Sequence, residues 1–117
     1  MEQENIFHLA IPITDLSLAK QFYLDGLGCQ IGRESKSAII FNFYSHQLVA
    51  HLTTDVLTPQ KGIYPRHFGL IFLQFTDWEE TLIKAQRQNL NFYQQPKIRF
   101  PNSLTEHHTF FLQDPFY

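Results

Sequence analysis

The first apolar segment of the chain alternates in the way that a β-strand does. Residues 6–11 place Phe7, Leu9 and Ile11 on one face of a strand and leave His8 on the other face. We predict a strand over this range, ending before Pro12, because proline removes a hydrogen-bond donor from a sheet.

The spacing of apolar residues then changes to that of a helix. Thr14 and Asp15 can cap its first turn, because a short side-chain oxygen accepts hydrogen bonds from free backbone N–H groups. The apolar residues that share one helical face are Leu16, Ala19, Phe22 and Tyr23. Gly26 and Gly28 predict the end of the helix.

Three shorter strands complete the first half of the chain. They are predicted at residues 29–33, 38–44 and 47–53. In the last strand Gln47, Val49 and His51 share one face. Residues 5–53 therefore form a βαβββ module, and residues 54–65 are predicted to be a linker.

The second half, residues 66–117, repeats the first. His67 aligns with His8, and Asp77 aligns with Asp15 at the start of a second helix that begins with a capping box. Two strands follow, at residues 92–100 and 107–113. The fourth strand of the first half has no counterpart before Tyr117. Either the natural sequence continues, or the sheet has an open edge that something covers.

Composition narrows the class of protein. A chain of 117 residues with 44% hydrophobic residues is long enough for one domain with its own core. The net charge is −2 and no basic run occurs, so we expect no nucleic-acid partner. No apolar segment is long enough to span a bilayer, so we expect no membrane partner. The single cysteine and the lack of a secretory signal near Met1 predict a cytoplasmic protein.

Histidine is the residue type that carries the functional prediction. The equivalent residues His8 and His67 begin equivalent strands, and His51 lies on the last strand of the first module. Three converging imidazoles suit a first-row divalent ion, whereas two histidines and a carboxylate suit non-haem iron(II). The alternative is that each is an ordinary hydrogen-bonded residue of a sheet. Of the neighbours His107 and His108, at most one can face such a cavity.

Several of these motifs occur together in one known group of proteins. The segments that carry the resemblance are Phe7-His8-Leu9-Ala10-Ile11, Thr14-Asp15-Leu16, Phe22-Tyr23, Leu27-Gly28, His67-Phe68-Gly69-Leu70 and Phe110-Phe111-Leu112-Gln113-Asp114-Pro115. Together they resemble the vicinal oxygen chelate superfamily of glyoxalases, extradiol dioxygenases and antibiotic-resistance proteins.

The resemblance implies an α+β fold of paired βαβββ modules, which form a cupped mixed sheet with the helices outside. The last strand of the second module is absent from this sequence. It further implies a divalent metal (Fe, Mn, Ni or Zn) held by His8 and His67, with His51 as a third ligand. A glutamate from the absent strand would complete the set. Small paired-module members commonly form homodimers, and some assemble the site across the interface.

The resemblance leaves the reaction open. A metal that chelates two neighbouring oxygens of a small substrate serves glyoxalase-type lyases and isomerases as well as ring-cleaving dioxygenases. The alternative function is metal-free binding of a small molecule, as in drug-sequestering members. In that case His8 and His67 are ordinary polar residues of the sheet.

Overall fold

The fold of the first half follows the predicted order of one strand, one helix and three strands. The computed structural model of the chain describes residues 5–63, 66–104 and 107–117. The four strands are β1 (His8–Ile13), β2 (Gln30–Glu34), β3 (Ala38–Phe43) and β4 (His46–Leu52). They form a sheet in the order β1-β4-β3-β2, in which β1 and β4 are parallel and the other pairs antiparallel. The predicted βαβββ order is confirmed.

The first helix changes character along its length. Its N-cap is Asp15, whose carboxylate accepts a hydrogen bond from the Leu18 N–H at 2.9 Å. Helix α1 covers Leu16–Ala19 and continues as a π-helical segment, Lys20–Gly26. We predicted a regular helix here, and the wider turns are a correction. The chain leaves this helix through Gly28, whose φ of +79° suits a residue without a side chain.

Strand β1 contains Pro12, although we predicted that the strand would end before it. The Gln47 N–H donates to the Phe7 carbonyl and the Thr53 N–H to the Ile13 carbonyl, both at 2.8 Å. Odd-numbered residues of β1 therefore bond with β4, and the ring nitrogen of Pro12 faces the free edge. Proline is tolerated there because β1 is an edge strand of this sheet.

The second half repeats the first only in part. Helix α2 covers Phe75–Arg87, and β5 (Phe92–Arg99) pairs antiparallel with β6 (His107–Leu112). The prediction of a strand from His67 is wrong, because no strand lies between β4 and α2 in the part of the chain that the structure describes. In the first half, as far as the structure describes it, β1 pairs only with β4. The described second half contains no equivalent of β4, so the segment from His67 has no strand to bond with.

Helix α2 also begins earlier than predicted. Its N-cap is Gln74, and Asp77 lies in the first turn, where the partial positive charge of the helix N-terminus favours a carboxylate. Residues 64 and 65 of the predicted linker, and residues 105 and 106 of the predicted second module, lie outside the described residues. Among those described, no helix is long and apolar enough to cross a membrane.

The core lies between the first sheet and its helix. Ile13, Ile39 and Phe41 are completely buried, and the helix contributes Phe22 and Tyr23 to the same cluster. The C-terminal turn adds its buried aromatic residue, Phe116. The second half is therefore attached to the first through the helix side of the first sheet, and the described residues leave the opposite side uncovered.

Candidate functional site

The side of the first sheet that faces away from the helix carries the polar residues of interest. Side chains alternate along each strand, and the register places residues of neighbouring strands side by side. The residues on this open face are His8, Ala10, Pro12, Ala38, Ile40, Asn42, Gln47, Val49 and His51. The face therefore has apolar residues at its centre and a histidine toward each end.

His8 has Gln47 as its neighbour on this face. The two residues are register partners in the parallel pair, and His8 Nδ1 lies 2.9 Å from Gln47 Oε1. Because an amide oxygen only accepts hydrogen bonds, Nδ1 is the donor, and in a neutral imidazole Nε2 is then the nitrogen with the lone pair. His8 is exposed, so Nε2 can be reached by a ligand.

His51 lies farther along the same face. Its register partner on β1 is Pro12, four residues beyond His8. At about 3.3 Å per residue, the two histidines are about 13 Å apart along the strand direction. The predicted face of His51 is correct, but within one chain Gln47, and not His51, stands beside His8. The alternation of side chains correctly placed Gln47 on this face. Alternation does not show which residue of β1 lies beside Gln47, because it does not give the register between the strands.

His67 lies beside the second sheet. Its Nδ1 donates to the Ile63 carbonyl at 2.6 Å, and its ring meets the edge of Phe111 at a centroid distance of 5.4 Å. A carbonyl only accepts, so in a neutral His67 ring Nε2 is likewise the nitrogen with the lone pair. Phe111 belongs to β6, whose opposite side packs on α2 through Phe110, 5.5 Å from Trp78. His67 therefore lies on the open face of the second sheet.

The two open faces have no common centre within one chain. Among the residues that the structure describes, no group of three or more His, Cys, Asp or Glu side chains is placed to hold a metal ion. The convergence of His8, His67 and His51 is therefore not seen in the single chain. Their roles as metal ligands stay predictions.

His46 has a role that sequence reasoning missed. His46 is half-buried at the start of β4, and its Nδ1 accepts the Phe7 N–H at 3.0 Å. This bond fixes the backbone just before His8. An apolar cleft of about 290 Å³ opens at this end of the sheet, on the helix side, with Phe7, Leu9 and Phe68 among its walls.

Comparison with known proteins identifies the family. Residues 5–116 match the sequence model of the Glyoxalase/Bleomycin resistance protein/Dioxygenase superfamily. The chain belongs to this superfamily. No curated protein matches.

Solved structures of glyoxalase-superfamily proteins share the fold. A glyoxalase/bleomycin resistance protein/dioxygenase from Alicyclobacillus acidocaldarius is 38% identical, with a TM-score of 0.87, over 96% of this chain and 84% of that one. A fosfomycin resistance protein from Listeria monocytogenes is 11% identical with a TM-score of 0.72, over 98% and 88%. A lactoylglutathione lyase from Agrobacterium tumefaciens is 14% identical with a TM-score of 0.64, over 99% and 90%. At such low identity, the last two show the fold alone.

Members of the glyoxalase superfamily commonly use divalent metals. Histidines that bind metals almost always donate their second ring N–H to a carbonyl or carboxylate, which orients the ring. His67 donates to Ile63 and His8 to Gln47 in this way. Neutral imidazole nitrogen suits Fe, Mn, Ni and Zn alike, so the donors do not select one ion.

A partly buried polar contact joins the two halves of this glyoxalase-superfamily chain. The Tyr23 hydroxyl donates to Asp114 Oδ2 at 2.6 Å, and Asp114 Oδ1 accepts the Phe116 N–H at 2.9 Å. Burial, followed by the negative charge of Asp114, raises the pKa of Tyr23 well above its ordinary value. Burial also raises the pKa of the Cys29 thiol to about 12, so this cysteine is no nucleophile at neutral pH.

These raised pKa values predict a loss of stability in alkali. The unfolded chain releases the Cys29 proton near pH 9, whereas the folded chain holds it to about pH 12. The stabilisation is complete below pH 9 and is lost as the pH rises from there to about 12. We expect the free energy of unfolding in urea to fall by about 1 kcal/mol per pH unit above pH 9. Cys29→Ala should reduce this slope, and a flat profile from pH 8 to 10.5 would contradict the prediction.

Proposed function

We propose that this protein is a metal-dependent enzyme of the glyoxalase superfamily, in which His8 and His67 hold a divalent ion that chelates two neighbouring oxygens of a small substrate. The observation that carries the proposal is the shared state of the two histidines. Each donates from Nδ1 to a carbonyl oxygen, of the Gln47 side chain or of the Ile63 backbone, and leaves Nε2 available. His8 and His67 align in the sequence repeat and make the same kind of hydrogen bond, so we infer that they have the same role.

The site is proposed to form between two copies of the chain. The radius of gyration is 15.1 Å, whereas a compact chain of this length has a radius of about 13 Å. The open faces that carry His8 and His67 belong to different sheets, and strand contacts between those sheets are few. A two-fold dimer would place the second sheet of one chain over the first sheet of its partner, which brings His8 of one to His67 of the other.

The chain's own residues would bind and orient the substrate. When bound, the metal supplies Lewis acidity to the two chelated oxygens. Val49 and Ile40 form an apolar floor beside Ala10, two residues along β1 from His8, and would exclude water from the reacting atoms. On the open faces of the described strands there is no Asp or Glu. The proton acceptor that a lyase or isomerase needs would therefore come from elsewhere, while a dioxygenase would consume oxygen instead.

Complementation between two inactive variants tests both the metal and the dimer. His8→Ala and His67→Ala should each lack metal as homodimers, since every site then lacks one histidine. In a refolded equimolar mixture half of the dimers are mixed, and each mixed dimer keeps one intact site. About one quarter of the sites should therefore bind metal again, as measured by metal content after gel filtration.

Two other results would overturn the proposal. No recovery in the mixture, with metal still bound by the native protein, would place the whole site in one chain. No binding of Mn²⁺, Fe²⁺, Ni²⁺ or Zn²⁺ to the native dimer would favour metal-free binding of a small molecule. Oxygen uptake then separates a dioxygenase from a lyase. We also propose that the protein works in the cytoplasm, where a single buried thiol such as Cys29 stays reduced.

A further inference from the structure

A cleft of about 460 Å³ opens where the two halves of the chain meet. Its walls come from the first helix, from the exit of α2 and from the turn after β6. The open faces that carry His8 and His67 do not contribute to it. Ligand sites have volumes of about 300–1,000 Å³ and occur preferentially where structural units meet. The size and the position of this cleft are therefore those of a site for a small ligand.

The polar lining of the cleft is rich in carboxamide groups. They belong to Gln21, Gln88, Asn89, Asn91 and Gln113. Asn91 Nδ2 donates to Gln113 Oε1 at 3.2 Å, whereas the other three side chains make no hydrogen bond among the described residues. Each carboxamide has a carbonyl oxygen that accepts and an NH₂ group that donates, so a ligand hydroxyl can bond to either. This lining is therefore complementary to a ligand with several hydroxyl groups.

The charged groups that line the cleft are all acidic. Asp25 and Asp114 contribute carboxylates, and the described lining contains no Lys, Arg or His. Lys20, the basic residue of the first helix, is paired with Glu34 at 2.7 Å. Asp25 is exposed and has no ion pair within the described part of the chain. The electrostatic potential in the cleft therefore favours a cation over an anion.

The first helix fixes the shape of the cleft in two ways. Gln21 and Asp25 lie in the π-helical segment, Lys20–Gly26, and π-helical turns are rare and frequently occur at functional sites. Within this segment the Tyr23 hydroxyl donates to Asp114 at 2.6 Å, which joins the helix to the turn after β6. Two walls of the cleft are therefore fixed relative to each other before a ligand binds, and less conformational freedom is lost on binding.

We propose that this cleft is a binding site for an amino sugar, whose hydroxyl groups bond to the carboxamides and whose ammonium group lies beside Asp25. Asp114 already accepts two hydrogen bonds from within the protein, so Asp25 is the carboxylate left for the ammonium group. The apolar C–H faces of a sugar ring would pack on the apolar lining, which includes Leu18, Leu90 and Pro115. The site needs no metal and is independent of the proposed function.

Three probes separate the contribution of the charge from that of the hydroxyl groups. Glucosamine has both, glucose has a hydroxyl in place of the ammonium group, and putrescine has ammonium groups without hydroxyls. Isothermal titration calorimetry of the whole protein at pH 6, where the amines are protonated, measures each affinity. Glucosamine should bind about threefold to fivefold more tightly than glucose, which is the effect of one exposed ion pair, and about tenfold more tightly than putrescine. The advantage over glucose should shrink in 1 M NaCl, because salt screens exposed charges.

Two substitutions of exposed side chains assign the contacts. Asp25→Asn removes the charge and keeps the size, so it should weaken glucosamine binding about threefold to fivefold and leave glucose binding unchanged. Gln21→Leu removes an uncharged hydrogen bond and should weaken the binding of both sugars about fivefold. Asp55→Asn, at an exposed position after β4, makes the same change in net charge and is the matched control. All three variants should keep the native melting temperature, since the substituted side chains are exposed.

Three results would overturn the proposal. The first is equal affinity for glucosamine and glucose, or binding of putrescine as tight as that of glucosamine. The second is an equal loss of glucosamine affinity in Asp25→Asn and Asp55→Asn, which would show a general effect of net charge. The third is the absence of saturable binding of glucosamine to the native protein.

Discussion

Replacement of His67 by alanine is expected to lower the affinity for a divalent metal by about 100-fold or more, since loss of only an outer-shell partner already costs 10- to 100-fold. The substitution removes a donor whose Nε2 lone pair is fixed by the bond from Nδ1 to Ile63. His8→Ala should have an effect of similar size. Competition with a chromophoric chelator measures both affinities.

The control for His67→Ala is an imidazole on the other side of β6. His108 packs between Phe75 and Trp78, with ring centroids 4.9 and 5.4 Å away, on the side toward α2. His108→Gln should leave metal affinity within about twofold of the native value. Equal losses for His67→Ala and His108→Gln would show a nonspecific effect and contradict the assigned ligand.

Phe41→Ala is expected to destabilise the protein by about 3–5 kcal/mol, which is a large part of the 5–15 kcal/mol typical of a domain. Phe41 is completely buried at the centre of the first sheet, and its ring lies 5.4 Å from that of Tyr23 on the helix. The cavity would remove the main contact between sheet and helix. Urea unfolding at one fixed protein concentration measures the change, since dimerisation would make stability depend on concentration.

A smaller change at the same position provides a reference value for the loss of stability. Phe41→Leu keeps most of the apolar volume and should cost about 1–2 kcal/mol. A loss below about 1 kcal/mol for Phe41→Ala would mean that the site collapses around the smaller side chain. In that case the core would be more adaptable than its complete burial suggests.

Local pattern was sufficient for the order of the elements in the first half of the fold. The alternation around His8, the cap at Asp15 and the glycine at position 28 each act over a few residues, and the structure has each of them where the pattern indicated. Pairing between distant residues was harder to predict. The alternation of side chains placed Gln47 and His51 on one face of β4. Only the register of β4 against β1 decides which of the two lies beside His8.

The errors in the second half have a common cause. The segment from His67 has the apolar composition of a strand, yet a strand needs a neighbour to bond with. Composition also gave no sign that the His67 ring would bond to Ile63 or pack on Phe111. Gln94 Oε1 and Thr109 Oγ1 are buried without a hydrogen-bond partner. Their burial follows from the pairing of β5 with β6, which no local pattern of residues predicts.

The π-helical segment Lys20–Gly26 has a consequence for how homologous chains can differ in length. A π turn holds about one residue more than an α turn, so one deletion here can restore a regular helix. A deletion before Tyr23 would rotate its side chain by about 100° and separate it from Asp114. A deletion after Tyr23 would keep that bond and move only the exit toward Gly28. Natural length variants should therefore fall in the second part of this segment.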